Sequence, residues 1–150
     1  MNDLIDLIET SLANSLRRRS PNGTPRFAEA EKLTDLLLPE LIGQQQERFA
    51  GLFLVDNSQP AVFENLFVGC VENTAVELDE PFCDEILGPI LRHQAADLIV
   101  IHYHPEGDGC LQPLDHSVVQ WLIQTLAALD MRILAYFVLT GEGGLSFVEI

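Results

Sequence analysis

Two histidines one residue apart, His102 and His104, close the apolar run Leu98-Ile99-Val100-Ile101. A loop rich in proline and glycine follows, and then Asp115. At the end of a strand, side chains two residues apart leave the same face, so both rings point the same way. Two imidazoles and one carboxylate form a catalytic zinc set, because three protein ligands leave the fourth position for water. Zinc brings the pKa of that water to about 7, and a nearby carboxylate must then shuttle the proton. A plainer account also exists. Histidine pairs of this spacing occur as loop or core residues, and Asp115 can cap the helix that follows. Cys110 and His116 are close enough in sequence to be substitute ligands, although a loop thiol and an exposed histidine explain them as well.

The elements that must position these residues are legible in outline. Leu4, Ile5, Ile8, Leu12 and Leu16 make one apolar stripe at helical spacing, suited to docking, dimerisation or packing on the same domain. Ser20 to Pro25 is rich in turn residues and reads as a linker. Phe27 to Leu38, stopped by Pro39, predicts a second helix. Strands are expected at Phe49–Val55, Ala61–Val68, Leu98–Ile101, Arg132–Leu139 and Leu145–Val148. Helices are expected at Pro81–His93, despite the interior Pro89, and at Ser117–Leu129, with Leu111–Asp115 as loop. Strands and helices mix without regular alternation, which predicts an α+β fold.

At this point the chain resembles the RadC-like branch of the JAB/MPN (JAMM) metalloprotease superfamily. The superfamily pattern is an upstream Glu, then H-x-H, seven residues, Ser, two residues and Asp. Here His102-Tyr103-His104 is followed by seven residues, then Gln112, two residues and Asp115. His102-Tyr103-His104-Pro105-Glu106-Gly107 is similar to the H-N-H-P-S-G loop of RadC-like proteins. Glu47 to Leu54, Glu64 to Gly69, Leu91 to Ala96 and Gly144 to Phe147 resemble further family segments. The resemblance covers roughly residues 30–150.

It implies a cytidine-deaminase-like α/β/α sandwich with a mixed sheet, preceded by N-terminal helices. The corresponding division is an N-terminal helix and linker at 1–26 and a metalloprotease domain at 27–150. It also implies Zn2+ held by His102, His104 and Asp115, with Glu64 as the acid that takes a proton from the attacking water and delivers it to the leaving amine. Gln112 stands where the family has the Ser that helps hold the oxyanion; its amide can donate a hydrogen bond, but from a longer side chain. Tyr103 and Glu106 replace the usual Asn and Ser and are expected to face the cleft. Ala135-Tyr136 replaces a late Asp-His pair. The reaction implied is hydrolysis of a peptide or isopeptide bond. The compact form is similar to proteases that mature or deconjugate ubiquitin-like proteins. Rival readings are an inactive MPN-type scaffold that binds a protein partner and a RadC-like factor associated with DNA. A zinc deaminase is a weaker rival, since its H-x-E and P-C-x-x-C signature is absent.

Composition narrows the choice. The chain has 150 residues, 47% of them hydrophobic and 21% charged, an ordinary globular balance. The net charge is −15, and residues 33–150 carry all of it. A body this acidic repels phosphate backbones, which disfavours nucleic acid outside the Arg17–Arg19 cluster, and it would suit a basic protein partner. No apolar run reaches the roughly 20 residues of a membrane span, and Asp3, Asp6 and Glu9 do not suit a secretory signal. Cys70, Cys83 and Cys110 are an odd number without C-x-x-C spacing, which fits a reduced, cytoplasmic setting.

Overall fold

A computed structural model describes residues 46–54, 62–68, 80–93, 95–105, 110–142, 144–148 and 150. In chain order they form β1 (Arg48–Leu54), β2 (Val62–Val68), α1 (Glu80–His93), β3 (Asp97–His104), α2 (Pro113–Ala127), β4 (Arg132–Thr140) and β5 (Leu145–Phe147). The five strands make one sheet in the order β2-β1-β3-β4-β5. β3 and β4 run parallel, joined by α2, and every other pair is antiparallel. The sheet is therefore mixed and the class α+β, as the sequence predicts. No helix among the described residues is long and apolar enough to cross a membrane. The expected N-terminal stripe, the linker, the helix at 27–38, the boundary at 26/27 and Cys70 lie outside the described residues.

One sheet face carries Phe49, Phe53, Leu66, Leu98, Val100, Tyr136 and Val138, and both described helices pack on it. α1 contributes Phe82, Ile86 and Ile90; α2 contributes Leu114, Val118, Val119, Leu122 and Leu126. These are the three- and four-residue steps of an amphipathic stripe. Pro89 stays inside α1 and is itself buried. The carbonyl it leaves without a helical donor belongs to Glu85, an exposed residue that water can reach. The second face carries Leu52, Leu54, Ile99, Ile101, Tyr103, Phe137 and Leu139, each at most 2% exposed. Burial on both faces explains why β3 and β4 read as continuous apolar runs and not as alternating ones.

Three boundaries differ from expectation in ways that matter for the site. β3 does not stop at Ile101 but runs through both histidines, so they lie in the ladder itself. α2 begins at Pro113, placing Asp115 in its first turn and not in the preceding loop, and it ends at Ala127, before Leu129. Proline is tolerated at a helix start because its missing N–H would have no helical partner there. Tyr103, expected to face the cleft, is turned away from the histidines by strand alternation and is buried on the second face. Glu106 lies outside the described residues.

Candidate metal centre

The C-terminal end of β3 is where the candidate residues meet. His102 and His104 leave one face, with ring centroids 5.9 Å apart. His102 pairs with Phe49 across the β1–β3 ladder. The Phe49 ring stacks on the imidazole at 4.2 Å and 10°, which fixes the ring plane. The residue two before Phe49 is Glu47, so strand periodicity puts its carboxylate on the histidine face. Glu47 Oε1 lies 2.5 Å from His102 Nε2 and 3.9 Å from His104 Nε2.

The opposite edge of the His102 ring meets α2. Asp115 Oδ1 lies 2.7 Å from His102 Nδ1 and accepts a 2.7 Å hydrogen bond from the Tyr136 hydroxyl. Asp115 Oδ2 accepts a 2.8 Å bond from the Gln112 backbone N–H, while the Asp115 N–H donates to the Gln112 carbonyl at 2.9 Å. Asp115 thus closes the first turn of its helix and holds the histidine. Gln112 sits at the cap of α2 and is half-buried. Glu47, His102, Asp115 and Tyr136 are all buried. Gly141 lies close to the exit of β3: a Cβ there would stand 3.0 Å from the Pro105 carbonyl oxygen and 3.3 Å from the Tyr103 hydroxyl.

The electrostatics follow from that burial. Desolvation pulls the His102 pKa down, but the hydrogen bonds and charges of Asp115 and Glu47 outweigh it and leave the group above its ordinary value. Burial pushes Asp115 up, yet the bonds from His102, Gln112 and Tyr136 carry it below the usual carboxylate value. Tyr136 is held well above its ordinary value by burial first, and then by the charges of Asp115 and Glu47. A pH dependence results for the metal-free protein. His102 titrates higher folded than unfolded, so its contribution to stability is whole below about 6.5. That contribution is lost as pH rises through the raised folded value. Chemical unfolding across this window should show stability falling with rising pH, and the fall should be absent in His102→Gln.

Glu64 is elsewhere. It lies on β2 opposite Gly51 of β1, one strand further from β3 and below the site end. Its carboxylate bonds to Arg92 and, at 2.5 Å, to His93 Nε2, both in the last turn of α1. The structure therefore brings together His102, His104 and Asp115 from the expected set, places Gln112 beside them, and sets Glu47 where Glu64 was expected. Cys110 and His116 are both exposed. Two residues here have no site role in the sequence reading. Glu47 could have been found from the β1–β3 pairing, and Tyr136 from its place near the end of the strand parallel to the histidines.

The donor types are those a zinc ion takes: imidazoles and carboxylates. His104 Nδ1 is buried without a hydrogen-bond partner, a sign that this side chain has capacity unused by the protein. The set fits the metal in kind. It is not already gathered round one point: no three such side chains among the described residues stand as a metal-holding group, because both His102 nitrogens rest on carboxylates. The chain's similarity to known proteins bears on this site. A family model described as a RadC-like JAB domain matches residues 27–150. A UPF0758 protein of Janthinobacterium sp. (strain Marseille) is 34% identical over 146 residues, covering 97% of this chain and 61% of that protein. One from Vibrio cholerae is 34% identical over 82% of this chain and 74% of its own length. The UPF0758 protein YfjY of Escherichia coli (strain K12) is 29% identical with the same coverage. The chain spans about three fifths of the Janthinobacterium relative's length.

Proposed function

Because the chain belongs to the RadC-like JAB domain family, we propose that it is a zinc-dependent hydrolase of the JAMM type. It would cleave a peptide or isopeptide bond, with the C-terminal tail of a ubiquitin-like protein as its substrate. The observation that carries this reading is the meeting of Glu47, His102, His104 and Asp115 at one end of β3. His102, His104 and Asp115 would hold the ion. Zinc, when bound, supplies Lewis-acid polarisation of the scissile carbonyl and acidifies the attacking water to a pKa of about 7.

The chain's own groups do the rest. Glu47, on the histidine face and within 3.9 Å of His104 Nε2, takes the water proton on its carboxylate and passes it to the leaving amine. Phe49 keeps the His102 ring in plane by stacking. Gln112 is fixed at the α2 cap through its backbone, and its side-chain amide is a donor for the developing oxyanion. The net charge of −15 favours approach by a basic partner and opposes nucleic acid.

A second reading, a scaffold without catalysis, draws on the grip of both carboxylates on His102, since an ion must displace one of them. The test is metal content of protein purified without a chelating column, beside His104→Ala, followed by cleavage of a ubiquitin-like fusion. About one zinc per wild-type chain, lost in the variant, with tail cleavage by wild type, is the expected result. No metal after zinc is added overturns the hydrolase reading, and metal without cleavage of any tail favours the scaffold.

A further inference from the structure

We propose that Tyr136, whose hydroxyl donates a 2.7 Å hydrogen bond to Asp115 Oδ1, is the positioning residue for the metal ligand Asp115. The inference rests on the zinc reading above. A carboxylate offers about four lone-pair sites, and in Asp115 three are taken: two on Oδ1, by Tyr136 and His102, and one on Oδ2, by the Gln112 N–H. The Gln112 bond comes from the same helix turn, and the His102 ring must face the ion if it is to be a ligand. Tyr136 is then the donor from outside α2 that fixes the rotation of the carboxylate. Its hydroxyl arrives from β4, the strand paired with β3, so the frame that carries the histidines also carries the group that orients the aspartate.

Nothing about Tyr136 as a core residue demands this contact. Its ring is fully buried in the apolar cluster shared with α1 and α2, and phenylalanine would fill the same volume. The hydroxyl is what separates the two, and it is spent on Asp115. Partners that orient a ligand in this way typically change metal affinity 10- to 100-fold when removed.

The experiment uses the full chain as wild type, Tyr136→Phe and Tyr136→His. Zinc affinity is read by competition with a chromophoric chelator, and ligand geometry by the visible absorption of the cobalt(II)-substituted protein. Thermal melts of the metal-free proteins report on the fold. Tyr136→Phe should bind zinc about 10- to 100-fold more weakly and alter the cobalt band, because Asp115 can then turn. Tyr136→His, whose shorter side chain does not carry a ring N–H as far as the tyrosine hydroxyl, should bind zinc as weakly as Tyr136→Phe. Equal affinity and identical cobalt spectra for wild type and Tyr136→Phe overturn the proposal and leave the metal site standing. Failure of wild type to bind zinc overturns the site reading itself. If Tyr136→Phe does not fold, the outcome rests on Tyr136→His, and affinity equal to wild type in that variant overturns the proposal.

Discussion

Glu47→Gln should slow tail cleavage about 10²- to 10⁴-fold while the protein still holds one zinc per chain. The amide keeps an oxygen that can accept from His102 but has no charge with which to take a proton. The loss therefore falls on the proton transfer and spares the fold. Glu64→Ala is the matching control. Glu64 sits on β2 with Arg92 and His93, and Arg92 is 59% exposed, so the variant should leave the cleavage rate unchanged and cost at most about 1 kcal/mol of stability. Measured rates and metal content for the two variants decide between the carboxylates. Activity retained in Glu47→Gln and lost in Glu64→Ala would reverse the assignment.

Asp115→Ala should be the most destabilising change at the site, by about 3–5 kcal/mol in zinc-free protein. Three losses combine. The Asp115 half of the capping box at the start of α2 goes, and the Gln112 N–H loses its acceptor. The buried Tyr136 hydroxyl loses its acceptor, and the buried His102 ring is left beside Glu47 alone. Urea unfolding of the metal-free protein checks this, because it measures the carboxylate's structural work apart from any ligand role. Stability within about 1 kcal/mol of wild type would mean that the hydrogen bonds at Asp115 contribute little.

What the sequence disclosed was what local pattern can carry. The apolar run ending in His102-Tyr103-His104 announces a strand with two rings on one face, and Gln112-Pro113 followed by Asp115 has the chemistry of a helix start. Those features need no knowledge of partners in space. Glu47 is different. It stands before an apolar strand much as Glu64 stands within one, and eighteen acids between residues 33 and 150 give no local reason to choose. The choice depends on β1 pairing with β3 so that Phe49 meets His102, a non-local fact. Tyr136 reads from sequence only as a departure from the late Asp-His pair that the resemblance implies, with no role of its own. Its hydroxyl acquires meaning only when α2 crosses back and sets Asp115 2.7 Å away. Tyr103 departs from the expected cleft position for a simpler reason: a residue between two cleft-facing neighbours in a strand points the other way, and Tyr103 is buried there.

The span of chain that builds this cluster has a consequence for how the protein is made. Glu47 and His102 are 55 residues apart, and Tyr136 follows Asp115 by another 21. Synthesis runs from the N-terminus at about 5–20 residues per second, so Glu47 joins the chain about 3–11 seconds before His102 does. The parallel β3–β4 pair must close through α2 before the last donor arrives, and such long-range pairings form late and slowly. Until then Glu47 and His102 have no buried surroundings to share, and the nascent chain exposes the apolar faces of β1 and β3. A chain arrested before β4 should therefore be prone to aggregation and hold metal poorly. Maturation of the centre is thereby timed to the synthesis of β4.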